Sequence, residues 1–427
     1  MVLLPCFNRM PFPEKNPMHN KNNSQRRVLM RLVLNSTPAT AMGLALSIQI
    51  SVLTWLLSTK YGLNMAELGL VWAAGPVAGI VGQLFAGMTS DRIWFMGGRR
   101  RPLIVLGGIS AGVMLYALNN LERIAEFLFG GSLLIAAAAV TLLLDLSINI
   151  GLGPARALVA DLTVQGRERT LGFAWMQSVS GFWGVLAYLA AGLFGNDFLI
   201  LTGPIFVLVF CLSTFFISES RDLFTALEHV SSKPGPTRKP PMDLYLAHAF
   251  SWLGIQCMFI YSLSFVREYI DGSGGQVLSL GFAIMSAVGF LTPVLVLGRF
   301  FEVFGALRVH ISCLYLMGTG YLLIGLFARE VVIFYCLMSV VGIGWASVVS
   351  MPFVILSELS AGAKMGLSMG IFNLSVVLPQ LAASLFLGVW VDRSPHKSAV
   401  FYFCAASLFV SAILWTRLER KERKTTL

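Results

Sequence analysis

The chain alternates long apolar runs with short polar breaks. Twelve runs reach the length of about 20 mostly apolar residues that a membrane helix needs, at roughly 35–58, 68–89, 102–120, 131–158, 173–194, 199–217, 244–265, 277–298, 309–327, 332–355, 366–389 and 399–416. The runs are continuous rather than strictly alternating, so they predict helices and argue against a barrel or stacked sheets. The longest internal polar gap, 218–243, holds Lys233, Pro234, Gly235, Pro236, Lys239, Pro240 and Pro241 and reads as a solvated linker. It divides the runs six and six. The predicted fold class is all-α integral membrane, with twelve transmembrane helices in two six-helix lobes. The divisions are a tail over 1–28, a first lobe over 29–217, the linker over 218–243, a second lobe over 244–416 and a basic tail over 417–427.

Composition excludes a soluble protein of this length. Hydrophobic residues are 56% of the 427 and charged residues 12%, where a soluble domain carries about 25%. The first 28 residues hold four prolines and scattered basic residues but no sustained apolar stretch, so no cleavable signal is read there and a disordered tail is expected.

The net charge of +10 raises the question of a nucleic-acid partner. Its placement answers it. Of 31 Lys and Arg residues, six fall on one side: Lys60, Arg123, Arg267, Arg329, Arg393 and Lys397. The remainder lie in the tails and in the loops on the tail side. Basic residues collect on the cytoplasmic side of membrane proteins, so both termini are expected in the cytoplasm, in a plasma (inner) membrane. The lipid bilayer is the implied partner, nucleic acid is not needed, and a monomer is expected. The six cysteines and five histidines show no metal-ligand or redox spacing. No metal, no cofactor and no enzymatic activity are expected. Six spans on each side of a polar loop is the layout of a two-lobed transporter.

Asp145 stands out among the acids. It lies about 14 residues from either end of the fourth run, near the bilayer midplane. A charge there costs at least about 2.5–3.5 kcal/mol on insertion scales. A carboxyl at that depth is a natural reversible proton acceptor, the alternative being a structural hydrogen-bonding role. Asn149 follows one helical turn later. Arg156 is eleven residues on, about 20° off the same face and about 16 Å along the axis. Gly153-Pro154 lies between and predicts a kink. The stripe thus offers an acid, an amide and a guanidinium fork suited to vicinal hydroxyls or a carboxylate. Arg156 reads equally as a topology anchor.

Gln49, Ser51 and Thr54 in the first run, Gln83, Gln177, Gln256, and Asn373 and Gln380 in the eleventh are polar groups inside apolar spans. Each reads most simply as interhelical glue. Together they suit a polar, uncharged ligand such as a sugar. Several tryptophans, among them Trp252 and Trp345, could stack on a sugar ring.

The loop after the second run reads Gly87-Met88-Thr89-Ser90-Asp91-Arg92, then Gly97-Gly98-Arg99-Arg100-Arg101-Pro102. A glycine four residues before the acid lets helices approach closely, and Asp91, Arg92, Arg99, Arg100 and Arg101 are assigned to gating the inner face. This loop resembles the signature of the major facilitator superfamily. A weaker counterpart, Gly298-Arg299, Glu302, Gly305 and Arg308, follows the eighth run.

A narrower resemblance rests on longer stretches. Gly69-Leu70-Val71-Trp72-Ala73-Ala74-Gly75-Pro76 through Gly79 and Gln83, Leu144-Asp145 with Asn149 and Gly153 through Leu162, and Met365 through Gln380 resemble the sucrose transporters and related proton-coupled glycoside symporters. Gln49, Ser51 and Thr54 match as well. The resemblance implies alternating access with proton and sugar moving together. It implies Asp145 as the proton-coupling acid and Arg156 as a sugar-binding arginine, with Asn149, Gln49, Ser51, Asn373 and Gln380 as further substrate contacts. One departure stands out: where the family carries an acid late in the seventh span, this chain reads Tyr261-Ser262-Leu263-Ser264-Phe265. Gly274-Gly275-Gln276-Val277-Leu278 faintly resembles another branch that serves light-harvesting and pigment assembly. The alternatives are therefore an assembly factor on the same fold or an exporter of another metabolite.

Overall fold

In a computed structural model of the protein, the described residues are 19–90, 94–163, 167–219, 242–292, 300, 303–359 and 365–426. The helices of the first lobe are α1 (His19–Trp55), α2 (Met65–Trp72), α3 (Ala74–Ser90), α4 (Arg101–Leu118), α5 (Leu121–Leu128), α6 (Leu133–Asp161), α7 (Arg167–Phe194) and α8 (Asn196–Leu212). Those of the second are α9 (Met242–Tyr269), α10 (Gly274–Thr292), α11 (Ala306–Phe327), α12 (Val331–Leu359), α13 (Met365–Arg393) and α14 (Ala399–Thr426). Twelve helical segments among the described residues are long and apolar enough to cross a membrane. Six lie before the polar gap and six after it, and the chain is an integral multi-pass membrane protein.

Local chemistry sets several of these boundaries. The second span is two helices in series, α2 and α3. Asn64 starts it with a reciprocal capping box: its side chain accepts from the Glu67 N–H, and the Glu67 carboxylate accepts from the Asn64 N–H. Pro102 sits in the first turn of α4, where its missing N–H costs nothing. α6 remains helical through Pro154. α1 begins at His19, within the stretch expected to be a tail, and it ends in a wider π turn over Leu56–Lys60.

One main apolar core runs through both lobes. Trp415, Tyr261, Tyr321 and Phe265 are the largest wholly buried side chains, and all four belong to the second lobe. Inter-lobe hydrogen bonds among the described residues gather toward the face opposite the termini. There Ser51 Oγ meets Ser279 Oγ at 2.9 Å, and Ser279 also donates to Asn196 Oδ1 at 3.3 Å. Arg267 donates to the Thr59 hydroxyl. α2 crosses α13 so closely that a Cβ on Gly69 would lie 2.0 Å from the Ser384 carbonyl oxygen. Only glycine allows that approach.

Candidate substrate and proton site

Asp145 occupies the middle of α6, twelve residues after Leu133, and is 5% exposed. Its side-chain hydrogen bond among the described residues comes from α1: Gln49 Nε2 donates to Asp145 Oδ2 at 3.0 Å. Asp145 therefore has a neutral amide partner and no cation among the described residues. On the other side stands α3, where a Cβ on Gly75 would lie 3.3 Å from Oδ2 and 3.7 Å from Oδ1. Glycine there leaves both oxygens room. Gln49 is 1% exposed, and its Oε1 has no donor. A buried oxygen left unpaired costs about 1–3 kcal/mol. One turn from Asp145, the buried Thr141 hydroxyl is unpaired too.

Toward the face opposite the termini the acid is covered. Trp72 Nε1 donates to Thr54 Oγ1 at 2.9 Å in a buried contact between the end of α2 and α1. Thr54 lies five residues beyond Gln49 on α1, about 7 Å further along its axis. Thr141 lies about 6 Å from Asp145 in the same direction on α6. The buried indole therefore lies on that side of the acid.

Toward the terminal face the same helix opens. Asn149 turns its amide back on its own helix, donating to the Asp145 carbonyl at 2.8 Å. Gly153 and Arg156 are exposed. Arg156 is surrounded by protein at longer range yet makes no hydrogen bond or ion pair among the described residues. Its guanidinium donors therefore have no protein partner among the described residues.

The second lobe contributes amides and rings. Gln380 Nε2 donates to Gln256 Oε1 at 3.2 Å, and Gln256 Nε2 reaches Ser384 Oγ at 3.5 Å. Asn373 is half-buried and makes no hydrogen bond among the described residues. Trp252 packs edge-on against Trp345 with ring centres 6.0 Å apart, and Phe259 does the same at 5.6 Å. The residues where the resemblance implied an acid have their hydroxyls occupied. Tyr261 donates to the Ala383 and Ser384 carbonyls, and Ser262 and Ser264 bond their own helix backbone. Ser51 is an inter-lobe contact rather than a free donor.

The loop residues assigned to gating are only partly visible. Asp91 and Arg92 lie outside the described residues, as do Arg299 and Glu302 of the counterpart loop. A two-residue turn closes between Phe95 and Gly98, with Met96 at φ 57° and Gly97 at φ 75°. It delivers Arg99, Arg100 and Arg101 to the start of α4. Arg99 Nη2 and Arg100 Nε both reach Asp161 Oδ2, at 3.0 and 2.9 Å, at the end of α6 in the same lobe. Arg101 donates to the Met96 and Ile217 carbonyls, each at 2.6 Å. Sequence reasoning missed Glu219, whose carboxylate accepts from the backbone N–H of Arg99, Arg100 and Arg101 at 2.8, 3.0 and 3.2 Å. It sits at the edge of the stretch read as a linker, and an acid directly after an apolar run was the available signal. In the counterpart loop Arg308 pairs with Glu419 at 2.9 Å. Among the described residues no group of three His, Cys, Asp or Glu side chains is placed to hold a metal.

The sequence profile of the Major Facilitator Superfamily matches residues 39–384. The chain belongs to that superfamily. It is 24% identical over 441 residues to a sucrose transport protein of Arabidopsis thaliana, covering 87% of this chain and 85% of that one. It is 30% identical over 209 residues to a general alpha-glucoside permease of Schizosaccharomyces pombe. That second match covers 43% of this chain and spans only 37% of the permease. Among solved structures, a D-xylose–proton symporter superposes with a TM-score of 0.67 at 15% identity, covering 91% of this chain and 97% of its own. At that identity the likeness shows the fold. These relatives and neighbours are transporters, not enzymes, and this chain is a member of a transporter superfamily.

Proposed function

We propose that this major facilitator is a secondary active transporter that carries a sugar or glycoside together with a proton. One observation carries the reading: a carboxyl, Asp145, is buried at the middle of a membrane helix against a neutral amide, with an unengaged arginine, Arg156, further along the same helix. A buried acid without a cation is suited to gaining and losing a proton. An exposed fork donor without a protein partner is suited to paired hydroxyls. The names of the sucrose and alpha-glucoside relatives support the same substrate class, and they favour transport over an assembly role.

The mechanism follows from the two ends of the site. Trp72 and Thr54 together with the inter-lobe contacts close one face, while Arg156 stands open toward the other. Substrate is held between Arg156, Asn149, Gln49 and Ser51 of the first lobe and Asn373 and Gln380 of the second. Rocking the lobes exposes the site alternately, and protonation of Asp145 neutralises the acid for the loaded transition. Arg99, Arg100 and Arg101 act with Asp91 and Arg92 in holding the inner face. The protein works as a monomer in the plasma (inner) membrane with both termini in the cytoplasm.

The test is uptake of labelled disaccharides and monosaccharides by proteoliposomes, with and without an imposed proton gradient. Saturable uptake of a glycoside that the gradient accelerates is the expected result. Uptake indifferent to the gradient, or of no sugar at all, overturns the reading.

A further inference from the structure

Gln49 offers the site more than a hydrogen bond. Its Nε2 is committed to Asp145 Oδ2, while its Oε1 is buried without a donor. An ionised carboxylate supplies none, because it is acceptor-only. A protonated carboxyl has the complementary pattern, one donor and one acceptor side by side. A primary amide has the same pair in the reverse order.

We infer that Gln49 is the residue that recognises the protonated form of Asp145, by closing a two-point acid–amide pair. The proton arrives from water on Oδ1. The new O–H donates to Gln49 Oε1, and the existing Nε2–H donation to Oδ2 is retained. Deprotonation breaks the first bond, returns the proton to water and leaves Oε1 unpaired again. This inference rests on Asp145 as the proton site, and it makes Gln49 a positioning residue for that acid rather than only a contact for sugar.

The surroundings leave this role to Gln49. α3 faces the carboxyl with Gly75, which has no side chain to donate. α2 carries one charged residue, Glu67, in its first turn and held by Asn64. The charged residues of α4 and α7 are Arg101 and Arg167, Glu168 and Arg169, all at the helix starts near the terminal face, and α7 otherwise brings Tyr188. α5 carries Glu122, Arg123 and Glu126 at the opposite face. On α6 the nearest cation is Arg156, about 16 Å along the axis.

The alternative role has the opposite sign, and that makes the test decisive. If Gln49 serves the ionised acid through its N–H alone, removing it makes protonation easier. If it serves the neutral acid through both atoms, removing it makes protonation harder. The experiment is an infrared pH titration of the full-length protein in lipid nanodiscs, following the carbonyl stretch of a protonated carboxyl that Asp145→Asn abolishes. In Gln49→Met that band is expected to reach half intensity only at about tenfold higher proton concentration, the effect of one ordinary hydrogen bond. It is also expected to move to higher frequency as the bond to the amide is lost. Half intensity at the same or a lower proton concentration overturns the inference while leaving Asp145 as the proton site. A wild-type spectrum with no titrating band that Asp145→Asn removes overturns both. Should Gln49→Met fail to fold, Gln49→Asn keeps the amide but withdraws it by one methylene, and the same direction of change is required of it.

Discussion

Asp392 and Met65 belong to different lobes, yet the Asp392 carboxylate accepts from the backbone N–H of Met65 at 3.1 Å and from that of Ala66 at 2.9 Å. Those two N–H groups are among the orphan donors at the start of α2. An acid of the second lobe thus caps a helix of the first. Negative charge at a helix N-terminus is stabilising. The bond exists only while the two lobes are together at this face.

Removing that acid is expected to loosen the closed face. Asp392→Ala loses a cap worth about 1 kcal/mol or somewhat more, which corresponds to several-fold to about tenfold in the population of the opened state. A cysteine placed at Ser279, buried in the inter-lobe contact, reports it. Labelling by a thiol reagent applied from that face should speed up by that factor. An unchanged rate would show that Asp392 is only a local cap.

The crossing of α2 and α13 leads to the reverse effect. Gly69→Val puts atoms where the Ser384 carbonyl and the Tyr261 hydroxyl already stand, 2.0 and 2.6 Å from the added Cβ. The lobes can no longer meet there. The expected protein folds and binds substrate but turns over at least about tenfold more slowly, since a clash of this size costs about 1–3 kcal/mol. Normal turnover would mean that the two helices separate at no point of the cycle's slow step.

The helices and the two lobes were legible because bilayer burial demands long apolar runs, and twelve of them stood out. Asp145 was legible because an acid so far from either end of a span has no topological purpose. Its partner was not. Gln49 is 96 residues away on α1, and several other amides inside the spans read equally well. The same holds for Asp392. An acid at the end of a span looks like an ordinary boundary residue until the fold brings the start of α2 to it. Ser51 is a further case: the sequence offers its hydroxyl to a sugar, and only the fold shows that Ser279 of the other lobe meets it in this conformation.

Arg156 is expected to act through its shape as well as its charge. Arg156→Lys keeps the cation but loses the planar fork, so a two-point contact to vicinal hydroxyls becomes one-point. Sugar binding should weaken by about tenfold, the worth of one hydrogen bond to a charged group. Equilibrium binding to the purified protein measures it. Unchanged affinity would return Arg156 to the role of a topology anchor.

Asp145→Asn tests the proton claim most directly. The substitution keeps the size of the side chain and a possible bond to Gln49, but it cannot take up or release a proton. In proteoliposomes loaded with unlabelled sugar, exchange for labelled sugar needs no proton to be returned and should persist. Accumulation driven by an imposed proton gradient should be abolished. Gradient-driven accumulation at the wild-type level in Asp145→Asn would contradict the assignment of Asp145 as the coupling acid.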